Sequence, residues 1–153
     1  MDKFPGFICD IDGTLADHTG LRGHYEYSKV SGDKPIESSI FVARLLIDHS
    51  GLDPVFVTGR ADENDGQVRR DTVEWLRNHV TDKPFSLFMR AETLRTGKRD
   101  FRPDFEVKGE IYDKWIEPKW DIKFAMDDRL QVCQMWHRIG IPVFRVGDPD
   151  AVF

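Results

Sequence analysis

Residues Phe7-Ile8-Cys9-Asp10-Ile11-Asp12-Gly13-Thr14-Leu15 form the most informative stretch of this chain. An apolar run leads directly into Asp10, and a second acid, Asp12, follows two residues later. Such a run is typical of a buried parallel strand, and ligands of open α/β sheets bind beyond the carboxyl ends of the strands. Because side chains two residues apart share a face of an extended chain, both carboxylates are expected at one sheet edge. Gly13 allows a tight turn there, and Thr14 offers a hydroxyl and an amide to an anion.

A second pair of acids, Asp127-Asp128, follows a predicted strand at residues 121–126. A helix cap explains one of these acids but hardly both. Because parallel strands end at the same edge of a sheet, these two carboxylates are expected to converge with those of Asp10 and Asp12. Four acids repel a phosphate dianion unless a divalent cation lies between them. A ligand set made only of oxygens fits Mg²⁺ better than zinc.

A third strand end carries Thr58-Gly59-Arg60, directly after the apolar run at residues 54–57. The Thr58 hydroxyl and the backbone amides can bind a phosphate oxygen, and Arg60 can add charge; a plain strand-terminating turn is the alternative. The polar loop or small flap at residues 16–36 carries Arg22, which can bind a phosphate in a bidentate manner or remain a solvated charge. His18 and His24 of this loop could act in acid–base chemistry, but both are expected at the surface.

The segment at residues 90–108 is locally basic within an acidic chain. It is either a surface that faces a polyanion or an ordinary solvated face. Asp104 and Lys108 lie four residues apart on a helix predicted from Pro103 to about Trp115. That spacing also suits a simple helix ion pair.

The remaining pattern alternates strands with helices, which predicts an α/β fold: a Rossmann-like three-layer sandwich around a mostly parallel sheet. In the predicted second helix, Trp75 is expected to pack at the edge. Pro142 places the last strand at a sheet edge or makes it irregular. The further predicted elements are helices at residues 36–49, 67–79 and 130–138 and strands at residues 84–89 and 141–146.

Composition describes an ordinary globular chain of 153 residues, 40% hydrophobic and 32% charged, and we expect one domain over residues 1–153. No run approaches the ~18 apolar residues of a membrane span, and no export signal is recognisable, so a cytoplasmic protein without a membrane partner is expected. Cys9 and Cys133 are expected to be reduced core thiols. The net charge of -5 argues against binding long duplexes over the whole surface, but a local basic site for one nucleic-acid end remains compatible.

The stretch Asp10-Ile11-Asp12-Gly13-Thr14-Leu15 resembles the D-x-D-G-T-[LV] signature of the haloacid dehalogenase-like phosphohydrolases. Thr58 is similar to the second motif of this family, Lys108 to its third, and the acid pair after the predicted fourth strand to its fourth. The resemblance implies that Asp10 is a nucleophile that forms an aspartyl-phosphate and that Asp12 is the general acid and base. It also implies a Mg²⁺ cofactor held by Asp10, the Asp12 carbonyl, and either of the two later acids, and a lysine that steadies nucleophile and phosphate.

The chain looks more closely like the 3′-phosphatase module of bacteriophage polynucleotide kinase-phosphatase, from Ile8 to about Val146. This resemblance implies removal of 3′-phosphates from DNA and RNA ends during repair, with Mg²⁺, in a bacterial or phage-infected cell. It also implies minimal cap inserts, and it adds four residues to the active site: Arg22, Arg60, Asp104 and Lys108. The segments that carry it are Asp10 to Ala16, Arg22-Gly23 with Tyr25, Val57 to Arg60, Asp104 with Lys108, and Ala125 to Gly140.

No G-x-x-x-x-G-K-[ST] loop occurs in these residues, so we do not expect the kinase part of those enzymes within them. We therefore expect a stand-alone phosphatase or an excised domain, with a separate kinase or ligase as partner. Two other functions are compatible with the residues. One is a phosphatase of free nucleotides or another small phosphoester, and the other is a non-catalytic module that binds phosphate ends.

Overall fold

The computed structural model describes residues 2–153. The strands, in chain order, are β1 (Phe4–Cys9), β2 (Ala16–Asp17), β3 (Lys34–Pro35), β4 (Asp53–Asp62), β5 (Ser86–Ala91), β6 (Trp120–Asp127) and β7 (Val143–Arg145). The helices are α1 (Glu37–His49), α2 (Gln67–His79), α3 (Asp104–Ile111) and α4 (Leu130–Arg138), with a 3₁₀ helix at Tyr27–Gly32 and a π-helical turn at Tyr112–Ile116.

Five strands form one parallel sheet in the order β5-β4-β1-β6-β7, and β2 and β3 form a separate antiparallel pair. The order places β1 at the centre, with its two neighbours following it from distant parts of the chain. The predicted α/β fold with a central parallel sheet is confirmed. The last strand lies at an edge, as Pro142 predicted.

Two apolar cores separate the sheet from helices on its two faces. Phe7 and Cys9 of β1 face a core that contains Trp75 of α2, whereas Ile8 faces the core that contains Val107 of α3 and Trp136 of α4. This alternation is the two-residue period of a strand buried on both sides, and it produces the predicted three layers. The prediction that Trp75 packs at an edge is wrong: it is 2% exposed, and its indole N–H donates to the backbone carbonyl of Asp33 at 2.9 Å.

The segment at residues 16–36 contains more structure than a loop. It includes β2, the 3₁₀ helix and β3, and the 3₁₀ helix packs against α2. The inserts stay short, in agreement with the predicted minimal cap. Strand β4 also continues past the predicted end at residue 57, with a register shift between Thr58 and Ala61. Among helices of residues 2–153, none combines the length and apolar character needed to cross a lipid bilayer.

Candidate active site

The acids predicted from the strand ends meet at the carboxyl edge of the sheet. Asp10 follows β1 directly, and its amide donates to the carbonyl of Met126 in β6 at 2.9 Å. Asp127 is the last residue of β6, and Asp128 begins the turn into α4. Oxygens of Asp10, Asp127 and Asp128 lie within 4.8 Å of one another, so three carboxylates form one cluster.

Lys108 of α3 is buried beneath this cluster. Its Nζ donates to Asp10 Oδ1 at 2.7 Å and to Asp127 Oδ2 at 2.8 Å. Burial lowers the pKa of Lys108, but the two carboxylates outweigh that effect and raise it above its usual value. The lysine therefore stays charged, and the alternative of a simple helix ion pair with Asp104 is wrong.

One ammonium does not balance three carboxylates. Burial, followed by the charge of Asp10, raises the pKa of Asp127 to about 6. Burial together with Asp10 and Asp127 raises the pKa of Asp128 to about 8. Excess negative charge in a buried, oxygen-only set suits a hard divalent cation that retains some of its waters. The residues thus fit the Mg²⁺ that the sequence predicts.

The turn after β1 fits closely around the cluster. Gly13 has a φ of +82°, and a Cβ at this position would overlap the carboxylate of Asp128. The buried hydroxyl of Thr14 donates to Asp10 Oδ2 at 2.9 Å and lies 3.5 Å from Asp128 Oδ1. Both carboxylate oxygens of Asp10 therefore have a donor, one from Thr14 and one from Lys108. Thr14 thus lies against two acids of the cluster, and its supporting role stays a prediction.

Asp12 lines the same cavity as the three acids but lies outside their cluster, and its carboxylate contacts two arginines. Arg60 donates from Nε to Oδ2 at 3.0 Å and from Nη2 to Oδ1 at 2.8 Å, and Arg22 donates from Nη2 to Oδ1 at 3.0 Å. Asp33 holds the same guanidiniums from behind, at 2.8–2.9 Å. Burial would raise the pKa of Asp12, but Arg60 and Arg22 outweigh it and hold the pKa below its usual value. The expectation that four carboxylates share one cluster is thus corrected to three; a metal contact by the Asp12 carbonyl stays a prediction.

Several predicted phosphate-binding residues lie behind the cavity that the acids surround. Thr58 is fully buried, and its hydroxyl accepts from the backbone amide of Arg60 at 3.2 Å. Arg22 and Arg60 are buried with their guanidiniums engaged by acids, so their direct contact with a phosphate stays a prediction. Gly59, in contrast, lines the cavity, which has a volume of about 20 Å³. A Cβ at Gly59 would overlap the carboxylate of Asp104, another wall residue.

The cavity wall also includes residues that the sequence analysis did not assign to the site. His24, which was expected at the surface, lines it together with Tyr27 and Arg129. Burial and the charge of Arg129 lower the pKa of His24. Arg129 pairs with Asp104 at 3.1 Å, and its position directly after the acid pair was the available signal. No local pattern indicated that Asp33 would be buried between two arginines.

The basic segment at residues 90–108 divides into two parts. Arg90 is buried, and its guanidinium is engaged by neighbouring residues. It donates to the carbonyls of Gly59 and Arg102 and to Asp104 at 2.6–2.9 Å. The second part, residues 93–99, forms a short hairpin that is closed by a bridge between Thr93 and Arg99. Three cations of this hairpin are exposed, namely Arg95, Lys98 and Arg99.

Comparison with known proteins places this site in a family. Residues 5–151 match the family model described as the polynucleotide kinase PNKP phosphatase domain. A protein of Autographa californica nuclear polyhedrosis virus, named "Putative bifunctional polynucleotide kinase/RNA ligase", is 30% identical over 148 residues. Those residues are 95% of this chain but 20% of the viral protein.

Two solved structures share the fold. A chain in "Structure of Pnkp1/Rnl/Hen1 complex" is 30% identical with a TM-score of 0.79, and covers 97% of this chain and 48% of its own. A chain in "Structure of the Pnkp1/Rnl/Hen1 RNA repair complex" is 29% identical with a TM-score of 0.81. The matched region is 99% of this chain and 46% of that chain. This chain thus spans about a fifth to a half of the relatives that it matches. From the family match over nearly its whole length, the chain belongs to the haloacid dehalogenase-like phosphatase domains of polynucleotide kinase-phosphatases.

Proposed function

We propose that this protein is a Mg²⁺-dependent polynucleotide 3′-phosphatase that acts through an aspartyl-phosphate on Asp10. The observation that carries the proposal is the way in which the Asp10 carboxylate is held at the sheet edge. A buried lysine and a threonine hydroxyl fix its two carboxylate oxygens, and two further acids provide a place for a cation beside it. A carboxylate fixed in this way suits nucleophilic attack at phosphorus.

In the first step, a carboxylate oxygen of Asp10 forms a bond to phosphorus while the bond from phosphorus to the 3′ oxygen breaks. Asp12 supplies the proton that the departing oxygen needs. Its pairing with Arg22 and Arg60 keeps it charged at rest, and the incoming phosphate charge favours the protonated form. In the second step, Asp12 takes a proton from the water that attacks phosphorus, which frees Asp10 and releases phosphate.

Mg²⁺, held by Asp10, Asp128 or Asp127, and the Asp12 carbonyl, would offset the negative charge of the phosphate and of the acids. Lys108 stabilises the charge of the nucleophile from below. Gly59, at the cavity wall, can offer its backbone amide to a phosphate oxygen, with Thr58 and Arg60 fixing its surroundings. Asp104 supports this wall through Arg90 and Arg129.

The family match and the relatives' names support the proposed substrate class. A phosphatase domain of the polynucleotide kinase family, with relatives named for kinase and RNA ligase functions and for an RNA repair complex, supports nucleic-acid ends as substrate. The same names support a kinase and a ligase as partners of this protein in RNA repair.

The test compares phosphate release from a 3′-phosphorylated oligonucleotide, a 3′-mononucleotide and an aryl phosphate, each with and without Mg²⁺. We expect Mg²⁺-dependent release that is fastest on the oligonucleotide, and none with Asp10→Asn. Circular dichroism checks that this variant folds. Equal rates on the oligonucleotide and the mononucleotide would favour a small-phosphoester phosphatase. No release from any substrate would favour a module that only binds phosphate ends.

A further inference from the structure

A second and larger cavity adjoins the acid cavity. It has a volume of about 370 Å³, which lies in the range of ligand sites. The two cavities share three wall residues, Tyr27, Asp104 and Arg129. The larger cavity therefore lies next to the place where a phosphate would bind at the acids.

The rim of the larger cavity carries aromatic rings that are exposed without a structural need. Tyr25 is 74% exposed and Phe101 is 78% exposed, although both belong to cavity-lining segments. The ring of Tyr25 lies 4.7 Å from that of His24 and 6.4 Å from that of Tyr27, centroid to centroid. His24 and Tyr27 in turn line the acid cavity. The aromatic rings of His24, Tyr27 and Tyr25 therefore form a row from the acid cavity to the rim of the larger cavity.

Cations accompany these rings. Arg99, at the wall, has its guanidinium carbon 5.8 Å from the centroid of Phe101. Four arginines and three acids line the cavity, and Arg99, one of these arginines, also pairs with Glu63. The neighbouring hairpin carries two further exposed cations, Arg95 and Lys98. Exposed rings beside cations form the usual surface for single-stranded nucleic acid, because bases stack on rings and phosphates pair with the cations.

From this combination we infer that the larger cavity binds the nucleosides next to the 3′-phosphate of a single strand. Bases stack on Tyr25 and Phe101, and the backbone passes along the hairpin that carries Arg99. The inference rests on the proposed function and deepens it, because it states how a polymer end is distinguished from a free nucleotide. Neither ring has a role at the reacting phosphorus.

The experiment measures kcat/KM on 3′-phosphorylated oligonucleotides of one to six nucleotides for wild type, Tyr25→Ala and Phe101→Ala. Stacking energies of bases on aromatic residues correspond to about tenfold losses. We expect wild-type kcat/KM to rise with length, and each alanine variant to lose about tenfold on longer strands, through KM, while the aryl phosphate is unaffected. Tyr25→Phe should retain the wild-type values, because it keeps the ring.

Phe41→Ala is a matched control, because Phe41 is 65% exposed on α1 and lines neither cavity. Equal losses on the aryl phosphate, or no change on longer strands, would overturn the inference. Strand binding can also be measured without turnover. Fluorescence anisotropy of a labelled strand gives its affinity for the Asp10→Asn variant and for the Asp10→Asn variant that also carries Phe101→Ala. If wild type releases no phosphate from any substrate, the proposed function fails, whereas a Phe101-dependent affinity in the Asp10→Asn background would still uphold the strand-binding site.

Discussion

At the scale of single residues, the turn after β1 is constrained twice at Gly13. Its φ is in the left-handed region, and the space where a Cβ would stand belongs to Asp128. Gly20 has a similar φ of +73°, but nothing lies within 4 Å of the position that its Cβ would occupy. Alanine substitutions at Gly13 and at Gly20 therefore distinguish the free-energy cost of backbone strain from the cost of displacing the Asp128 carboxylate.

Gly13→Ala should therefore displace Asp128 and lower kcat/KM at least 100-fold, a loss comparable to that of one electrostatic group in an active site. Gly20→Ala should cost about 1 kcal/mol of unfolding free energy and leave kcat/KM within twofold. Phosphate release and urea unfolding measure the two effects. Similar kinetics for the two variants would contradict the close fit at Gly13.

Within residues 2–153, Lys108 is the one cationic side chain that donates to the carboxylates of the acid cluster, and it is 2% exposed. Lys108→Met should destabilise the protein by about 3 kcal/mol, because it leaves Asp10 and Asp127 buried without their partner. Added Mg²⁺ should restore part of this stability, and phosphate release should be lost. The measurement is urea unfolding with Mg²⁺ and with a chelator.

Lys123→Met provides the control, since Lys123 is about half exposed and pairs with Asp121 at the surface. Such surface pairs contribute little, so its unfolding free energy should change by less than about 1 kcal/mol. An equal effect of the two substitutions would mean that Lys108 is not the counter-ion of the cluster.

Candidate site residues at strand ends were predictable, because buried charge is costly and an apolar strand seldom ends in paired acids for structural reasons alone. Asp10, Asp12, Asp127 and Asp128 were predicted in this way, and all four line one cavity. The directions of the side chains were not predictable. That Asp12 turns to Arg22 and Arg60 depends on Asp33, whose burial only the packing of the 16–36 segment reveals.

At the scale of elements, the segment at residues 16–36 is attached to the sheet by Asp33. This carboxylate is fully buried and joins Arg22 of the segment to Arg60 of β4. Asp33→Asn should loosen the segment, cost about 2 kcal/mol of unfolding free energy and lower kcat, because the arginines no longer hold Asp12 in place. Urea unfolding and limited proteolysis within the segment measure the change.

Glu26→Gln is the matched control, since Glu26 is exposed in the same segment and bonds only to Lys29 and the Gly23 amide. It should leave both the cleavage rate and kcat unchanged. Wild-type proteolysis and kinetics in Asp33→Asn would show that the segment is held by its apolar contacts alone.

The regular elements were predicted within a few residues, because their periodicity is strong. The elements that sequence reasoning missed are short. Strands β2 and β3 have two residues each, and a pair of this length has no period to detect. The π-helical turn at Tyr112–Ile116 likewise lay within what the spacing predicts as the end of one helix.

At the scale of the whole molecule, the acid cluster links two neighbouring strands, so a bound cation should stabilise the entire fold. Saturating Mg²⁺ at about 100 times its dissociation constant should add about 2.7 kcal/mol to the unfolding free energy. Asp128→Asn should reduce this gain, because it removes one of the three carboxylates. Thermal unfolding over a range of Mg²⁺ concentrations measures the shift, and a shift of equal size in the variant would exclude Asp128 from the cation site.

The position of β1 has a consequence for how the chain reaches its native state. The strand that comes first in sequence occupies the middle of the sheet, and one of its flanks closes only when β6 arrives. During synthesis on the ribosome, one edge of β1 therefore stays unpaired until β6 has emerged. Contacts between such distant segments slow folding, and an unpaired apolar strand is prone to aggregate.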